Sequence, residues 1–134
     1  MCHLDKLIVA AGEYCGSRPC GDCAILNQDQ LSQEMIAYQQ AAKEIEQSGD
    51  FDTTDDFTFV VQPFFTNSTL PYFPNGTVNK NFWGQDCYHY SAYGHALLST
   101  FFWQNMLEPV GAKTSNANLS VSALPLACPD PVCI

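Results

Sequence analysis

Only one segment of the chain has the pattern of a β-strand, and two helical patterns flank it. The segment runs from Phe57 to Gln62, is rich in β-branched and aromatic residues, and is ended by Pro63. A helix that leads into a buried strand is typical of a layered α/β domain. Because an open parallel sheet needs several such units, the sequence predicts the C-terminal part of a larger α/β domain, with an incomplete sheet.

The first helical pattern covers residues 29 to 48, with Asp29 as the expected N-cap and Gly49 just after the last turn. The other face of this pattern carries Gln, Glu and Lys, so we expect a surface helix with one buried stripe. The stripe consists of apolar residues at helical spacing: Leu31, Met35, Ile36, Tyr38, Ala42 and Ile45.

The second helical pattern runs from Ala92 to about Leu107, capped by Ser91 and stopped by Pro109 and Gly111. Before it, residues 63 to 85 are rich in Pro and Asn, which predicts a long surface loop. At the two ends of the chain, residues 1 to 28 predict a Cys-rich loop segment held by disulfides, and residues 115 to 134 an irregular tail.

Seven cysteines among 134 residues indicate an oxidising compartment. Three N-glycosylation sequons agree with this, with Asn67, Asn75 and Asn118 as candidate acceptors. We therefore expect an extracellular protein, either secreted or the ectodomain of a membrane-tethered protein. No signal peptide is visible in residues 1 to 11, so the signal is expected in a segment upstream of this chain. The odd cysteine count leaves at least one thiol free, or paired outside the chain.

The charge of the chain argues against nucleic acid as a partner. The net charge is −9 with only five Lys and Arg, whereas binding a phosphate backbone requires clustered cations. The same deficit argues against electrostatic docking on an anionic membrane. The apolar runs Leu7 to Ala11 and Phe57 to Val61 are also far shorter than the ~20 residues that cross a bilayer.

The sharpest chemical pattern is Asp86-Cys87-Tyr88-His89, which directly precedes the second helix. An Asp three residues before a His can turn back and accept the imidazole Nδ1 proton, which leaves Nε2 free to take a proton from a nucleophile or from water. On spacing alone, the alternative is a capping Asp beside a structural His that is held by hydrogen bonds.

A wider resemblance favours the catalytic alternative. The blocks Asp86 to His95 (DCYHYSAYGH) and Trp103 to Gly111 (WQNMLEPVG) are similar to the last sequence block of phospholipase B-type GDSL esterases. The segment Asp55 to Phe65 (DDFTFVVQPFF) resembles the strand that precedes that block, and the helix before it also fits. The similarity covers roughly residues 20 to 114, and Asn105 to Gly111 is its most specific part.

The resemblance implies an SGNH-type hydrolase, a three-layer α/β/α domain of which residues 29 to 114 form the C-terminal part. In that family a serine attacks the carboxylic ester of a phospholipid or related acyl lipid. The resemblance also implies His89 as the general base and Asp86 as the carboxylate that orients the imidazole. Because the Gly-Asp-Ser block that carries the serine is absent from this chain, the expected partner is the missing N-terminal part of the same domain. No metal or organic cofactor is implied.

Other interpretations of the sequence are weaker. Gly21-Asp22-Cys23 could offer a Cys nucleophile, but it is out of order in the family's sequence, and a disulfide is the better interpretation. Cys20 and Cys23 have the spacing of half a zinc site, without a second Cys pair. The aspartates at 50, 52, 55 and 56 lack the EF-hand spacing that calcium would need. One different class of function stays open: a secreted, disulfide-held remnant that does not catalyse and binds lipid or a protein partner.

Overall fold

The computed structural model describes residues 28–85 and 89–129, apart from the side chains of Gln28 and Leu31. Residues 1–27, 86–88 and 130–134 lie outside this description, and with them the predicted disulfide-held segment and six of the seven cysteines. The remaining cysteine, Cys128, is an exposed free thiol. The predicted disulfides therefore stay a prediction.

Helix α1 spans Gln28–Ser48, which confirms the first predicted helix to within one residue. Since α1 starts at Gln28, Asp29 lies inside the first turn, and its predicted role as the N-cap is wrong. An acidic residue in the first turn still stabilises the helix, because it lies near the positive end of the helix dipole. Gly49 has a φ of 69° and ends the helix in the left-handed conformation, as the sequence predicts.

The predicted buried stripe of α1 is wrong. Ile36, Tyr38 and Ile45 are 47%, 73% and 41% exposed, and no described side chain of α1 is buried. An apolar helix face is buried only where a second layer of structure lies against it. No sheet provides that layer among the described residues, so the apolar face stays open. The half-buried face of α1 consists of Ser32, Met35, Gln39, Ala42 and Glu46.

The predicted strand from Phe57 to Gln62 is not a strand in this structure. The β-pairing in the described part of the chain is limited to three isolated bridges, Thr54–Phe57, Tyr72–Val78 and Trp83–Tyr90. A strand needs the backbone of a neighbour to complete its hydrogen bonds. The N–H of Val61 instead donates to the carboxylate of Glu46 on α1, with an N–O distance of 3.0 Å. The described residues therefore form a mixed helical and irregular structure, and the three-layer α/β/α domain remains a proposal.

The segment 63–85 is only partly the surface loop that the sequence predicts. It contains two short 3₁₀ turns, Pro63–Phe65 and Lys80–Phe82. It also buries Ser68, Pro71, Asn79, Phe82 and Trp83. A composition rich in Pro and Asn fixes turns but does not prevent aromatic residues from being buried between them.

The core is a small cluster that joins three distant segments of the chain. Its buried members are Phe82 at the end of the second 3₁₀ turn, Trp83 just after it, Leu97 from the second helix, and Ala117 and Leu119 from the C-terminal segment. Half-buried apolar residues surround this cluster: Phe64, Phe65, Leu70, Tyr90, Leu98 and Phe101.

Helix α2 spans Ala92–Leu107 and confirms the second predicted helix together with its cap. The hydroxyl of Ser91 accepts a hydrogen bond from the N–H of Gly94 at 3.1 Å. The same hydroxyl donates to the carbonyl of Asn81, and the N–H of Ser91 donates to the carbonyl of Phe82 at 3.0 Å. The start of α2 is therefore fixed directly on the second 3₁₀ turn.

The C-terminal segment has no helix or strand within its described residues, yet it packs into the core. Within this segment, residues 115–120 run parallel to residues 67–72 and bond to them. We call this pairing of residues 67–72 with 115–120 the seam. The N–H groups of Asn67 and Thr69 donate to the carbonyls of Ser115 and Ala117 at 2.7 and 2.9 Å. The seam buries Ala117 and Leu119 completely.

Candidate active site

The backbone on either side of the Asp86–Tyr88 segment is held together. The N–H of Gly84 donates to the carbonyl of His89 at 2.7 Å, and Trp83 and Tyr90 form an antiparallel bridge. Asp86 itself lies outside the described residues. Residues 83–84 and 89–90 are thus fixed to each other at the base of the segment that carries the predicted catalytic pair.

Aromatic rings anchor this base in the core. The ring centroids of Phe82 and Tyr90 lie 5.2 Å apart, those of Trp83 and Tyr90 5.7 Å, and those of Phe65 and Tyr90 6.4 Å. Edge-on and tilted pairs at these distances are favourable, because the positive ring edge meets the negative ring face. The residue after His89, Tyr90, therefore packs between aromatic rings of the core and fixes the backbone at His89.

The side chain of His89 is exposed, and it comes two residues before the cap of α2. An exposed imidazole on a fixed backbone can accept a proton from a group that approaches the surface, provided that a second group sets its tautomer. The sequence predicts Asp86 as that second group, and the pairing of Asp86 with His89 stays a prediction.

Gly94 belongs to this site although the sequence gives it no chemical role. A Cβ atom at Gly94 would lie 2.4 Å from the carbonyl oxygen of Phe82 and 3.2 Å from the Cβ of Tyr90. Only a glycine allows the first turn of α2 to approach the second 3₁₀ turn so closely. The signal in the sequence was a Gly inside a helical pattern, which often marks close packing.

The other histidine near the site packs against an aromatic ring. The ring of His95 lies edge-on to that of Tyr90, with 5.7 Å between centroids. Its side chain is exposed and belongs to the first turns of α2. This contact gives His95 a packing role.

Two carboxylates of the acidic turn between α1 and residue 58 accept hydrogen bonds from threonines of the same turn. The hydroxyl of Thr54 donates to Asp56 at 2.6 Å, and that of Thr58 donates to Asp52 at 2.5 Å. The hydroxyl of Thr54 and the backbone N–H of Asp56 hold the pKa of the Asp56 carboxyl below its usual value. In the described part of the chain, no group of three or more His, Cys, Asp or Glu residues could hold a metal ion.

The most specific run of the resemblance, Asn105 to Gly111, forms the C-terminal closure of α2. The amide of Asn105 is buried and donates to the carboxylate of Glu108 at 2.7 Å and to the carbonyl of Thr114 at 2.8 Å. The carboxylate of Glu108 in turn accepts from the N–H and the hydroxyl of Thr114, at 2.6 and 2.7 Å. These bonds turn the chain back from α2 toward the seam.

Lys113 completes this closure. Its ammonium donates to the carbonyls of Asn105 and Glu108 at 2.7 and 2.9 Å, which satisfies acceptors at the helix end. Partial burial raises the pKa of the Glu108 carboxyl, but the hydrogen bonds from Thr114 and Asn105 and the charge of Lys113 outweigh it. The pKa of Glu108 is therefore lowered from its usual value of 4.5.

Sequence comparison places this structure among proteins of known family. The chain is 43% identical over 107 residues to membrane-associated phospholipase B1 of Mus musculus, a match that covers 78% of this chain and 7% of that protein. The corresponding proteins of Rattus norvegicus and Homo sapiens are 39% and 38% identical over 101 and 95 residues. Those matches cover 75% and 71% of this chain and 7% and 6% of the two proteins. The chain belongs to the phospholipase B-like family.

This phospholipase B-like chain spans only 6–7% of the length of the curated relatives it matches. No protein-family model matches the chain, and no solved structure matches it. Neither α1 nor α2, the long helices of the described residues, combines the length and apolar character that a bilayer-spanning helix requires.

Proposed function

We propose that this chain supplies the general base and its orienting carboxylate to a carboxylic ester hydrolase that acts on phospholipids or related acyl lipids. His89 is the base, Asp86 is the carboxylate, and a serine outside this chain is the nucleophile. The enzyme is of the GDSL or SGNH type and needs neither a metal nor an organic cofactor. The proposal rests on membership of the phospholipase B-like family and on one geometric observation.

That observation is the placement of His89. Its imidazole is exposed, while its carbonyl is bonded to Gly84 and the next residue, Tyr90, is wedged among core rings. A catalytic base must be accessible to its proton donor, and its position must be fixed. An imidazole presented by an anchored backbone meets both conditions.

The chemistry assigned to His89 is proton transfer in both halves of an acyl-transfer cycle. The serine Oγ attacks the ester carbonyl carbon while its proton passes to Nε2 of His89. The bond to the leaving alcohol then breaks, and the imidazolium returns the proton to the alcohol oxygen. Water repeats the same steps on the acyl-enzyme and releases the fatty acid. Asp86 orients the ring and stabilises the imidazolium.

The proposal requires more polypeptide than these 134 residues, because the chain contains no Gly-Asp-Ser sequence. The open surface of the described residues supports this requirement. Tyr38 on α1 is 73% exposed and Phe57 is 57% exposed, although both lie in segments with the pattern of a layered α/β domain. We infer that the remaining part of the hydrolase domain covers these residues and pairs with residues 57–62.

The same open surface favours a second candidate function. Exposed aromatic side chains such as Tyr38, Phe51 and Phe57 could contact lipid or a protein partner without catalysis. In that case the chain is a non-catalytic, disulfide-held remnant. Both candidates place the protein outside the cell, secreted or tethered to a membrane, as the cysteines and sequons indicate.

Labelling with a fluorophosphonate probe in extracts of the native source separates the two candidates. The probe reacts covalently with an activated serine, and an antibody against α1 identifies polypeptides that contain this chain. The esterase proposal predicts a labelled band much larger than 14.8 kDa. An antibody-positive but unlabelled band near 14.8 kDa would contradict it and would favour the remnant.

A further inference from the structure

The three sequons of this chain differ sharply in their surroundings. Asn75 lies at the tip of a small hairpin, whereas Asn67 and Asn118 lie on opposite sides of the seam. From these surroundings we propose that Asn75 is the principal N-glycan acceptor. We propose also that the contacts of the seam keep the glycosylating enzyme from reaching Asn67 and Asn118. The inference rests on the extracellular placement given under the proposed function, but not on the esterase chemistry.

The hairpin around Asn75 is built entirely from nearby residues. Phe73 donates its N–H to the carbonyl of Thr77 at 2.8 Å and accepts from the N–H of Gly76 at 2.9 Å. Gly76 has a φ of 82°, the left-handed conformation that closes a three-residue hairpin loop. Because every one of these contacts is local, the turn can form in a nascent chain before the core assembles.

Within this hairpin the sequon is arranged for modification. The side-chain oxygen of Asn75 accepts from the N–H of Thr77 at 3.1 Å and from its hydroxyl at 2.7 Å. Both bonds use the carbonyl oxygen, so the amide nitrogen, which is the atom that receives the sugar, has no partner among the described residues. A Cβ at Gly76 would have no atom within 4 Å, so the space beside the tip is open.

The sequon of Asn67 is engaged with the C-terminal segment. The amide nitrogen of Asn67 donates to the hydroxyl of Ser115 at 3.2 Å. The hydroxyl of Thr69 donates to Ala117 and Asn118 and accepts from the N–H of Leu119. The two groups that a glycosylating enzyme must reach therefore hold the seam together.

The sequon of Asn118 is engaged from the other side. The oxygen of Asn118 accepts from the N–H of Ser120 at 3.1 Å, as in the Asn75 sequon, but it also accepts from the hydroxyl of Thr69 across the seam at 3.2 Å. Leu119, the middle residue of the sequon, is fully buried. The hydroxyl of Ser120 donates to the carbonyl of Leu70 at 2.9 Å and accepts from the N–H of Tyr72 at 2.9 Å. Since residues 67–72 are synthesised first, their side of the seam is present as soon as Asn118 emerges.

The proposal is tested by expressing the full chain with an added signal sequence in cultured eukaryotic cells. Total cell-associated and secreted protein is treated with peptide N-glycosidase in heavy-oxygen water, and mass spectrometry gives the occupancy of each site. We expect Asn75 to be modified in most molecules and the other two sites in a small minority. Occupancy of Asn67 or Asn118 equal to that of Asn75, or an unmodified Asn75, would overturn the proposal.

Two variants test the role of each structural element. Thr77→Val keeps a β-branched side chain but removes the sequon hydroxyl, so the gel shift caused by the glycan should be lost; Asn67→Gln should leave it unchanged. Ala117→Asp puts a charge into the buried side of the seam and should raise occupancy at Asn67 and Asn118 several-fold, with Asn75 as the internal reference. Unchanged occupancy in Ala117→Asp would contradict protection by the seam. Because the signal sequence is supplied, neither result depends on esterase activity.

Discussion

A carbon atom attached to Gly94 would lie 2.4 Å from the carbonyl oxygen of Phe82, closer than real Cβ contacts allow. The same carbonyl accepts the N–H of Ser91. One backbone group of the second 3₁₀ turn therefore determines where α2 begins, and with it where the residues just before the helix lie. His89 lies two residues before Ser91, the cap that this contact fixes.

Gly94→Ala is expected to destabilise the chain, against the trend of helix propensity. In an open helix position the exchange gains up to about 1 kcal/mol, whereas a clash with a backbone atom of the core costs about 1–3 kcal/mol. The reverse exchange at an exposed position of the same helix, Ala96→Gly, should cost about 1 kcal/mol and measures the propensity alone. Urea unfolding of both variants checks this; a stabilised Gly94→Ala protein would contradict the close approach.

Asn105→Ala is expected to cost about 1–3 kcal/mol, because it removes the buried amide that donates to the carbonyl of Thr114 and to the carboxylate of Glu108. The neighbouring residue Gln104 is exposed and serves as the control, with a change within about 0.5 kcal/mol on substitution by Ala. The measurement is the urea midpoint of each variant. Equal effects at the two positions would mean that the closure of α2 contributes no stability.

The closure also predicts a specific pH dependence. A carboxyl whose pKa is lower in the folded than in the unfolded chain contributes its full stabilisation above the unfolded value, here about 4.5, and loses it as the pH falls through the folded value. Glu108→Gln should therefore be less stable than the unmodified chain at pH 7, and the difference should shrink below pH 4.5. Glu44→Gln removes the same charge at an exposed position and is the control, with urea unfolding measured at the same pH values.

The helices of this chain could be predicted because their signals are local. Ser91 caps α2 through its own side chain, and Gly49 ends α1 through its own backbone, so three or four adjacent residues carry each boundary. The burial of a helix face carries no such local signal. Ile36 and Ile45 have helical spacing, but whether they are covered depends on a second layer that no part of α1 encodes.

The candidate site also has one part that the sequence predicts and another that it does not. The Asp86–His89 pattern and its neighbourhood could be identified from the sequence, because residue types at fixed spacing are visible there. The base of the site could not, since the bond from Gly84 to His89 and the ring contacts of Tyr90 depend on how the chain returns to itself. Ala117 and Leu119 were missed for the same reason: an irregular segment becomes core only through its pairing with residues 67–72.

Glu46→Ala is expected to release α1 locally without unfolding the core. The carboxylate of Glu46 is the acceptor for the N–H of Val61, a half-buried residue outside any helix or strand. Hydrogen exchange of the Val61 amide, measured by NMR, should accelerate in this variant, while amides of α2 keep their protection. Glu44→Ala is the matched control, because the described contact of Glu44 is with Gln40 on the same helix. Equal acceleration in both variants would show that the bond to Glu46 does not protect the Val61 amide from exchange.

In the complete polypeptide that contains this chain, His89→Ala is expected to lower the kcat of phospholipid ester hydrolysis about 10³-fold or more. The bond from Gly84 to the His89 carbonyl needs no side chain, so the variant should still unfold cooperatively in urea and remain comparable with the original protein. His95→Ala is the control, since it removes another exposed imidazole six residues further along the chain and should keep most of the activity. Release of fatty acid from phosphatidylcholine vesicles measures both variants. If His89→Ala retains near-normal turnover, or if the two variants lose activity equally, His89 is not the base, and its fixed backbone serves only to hold the start of α2.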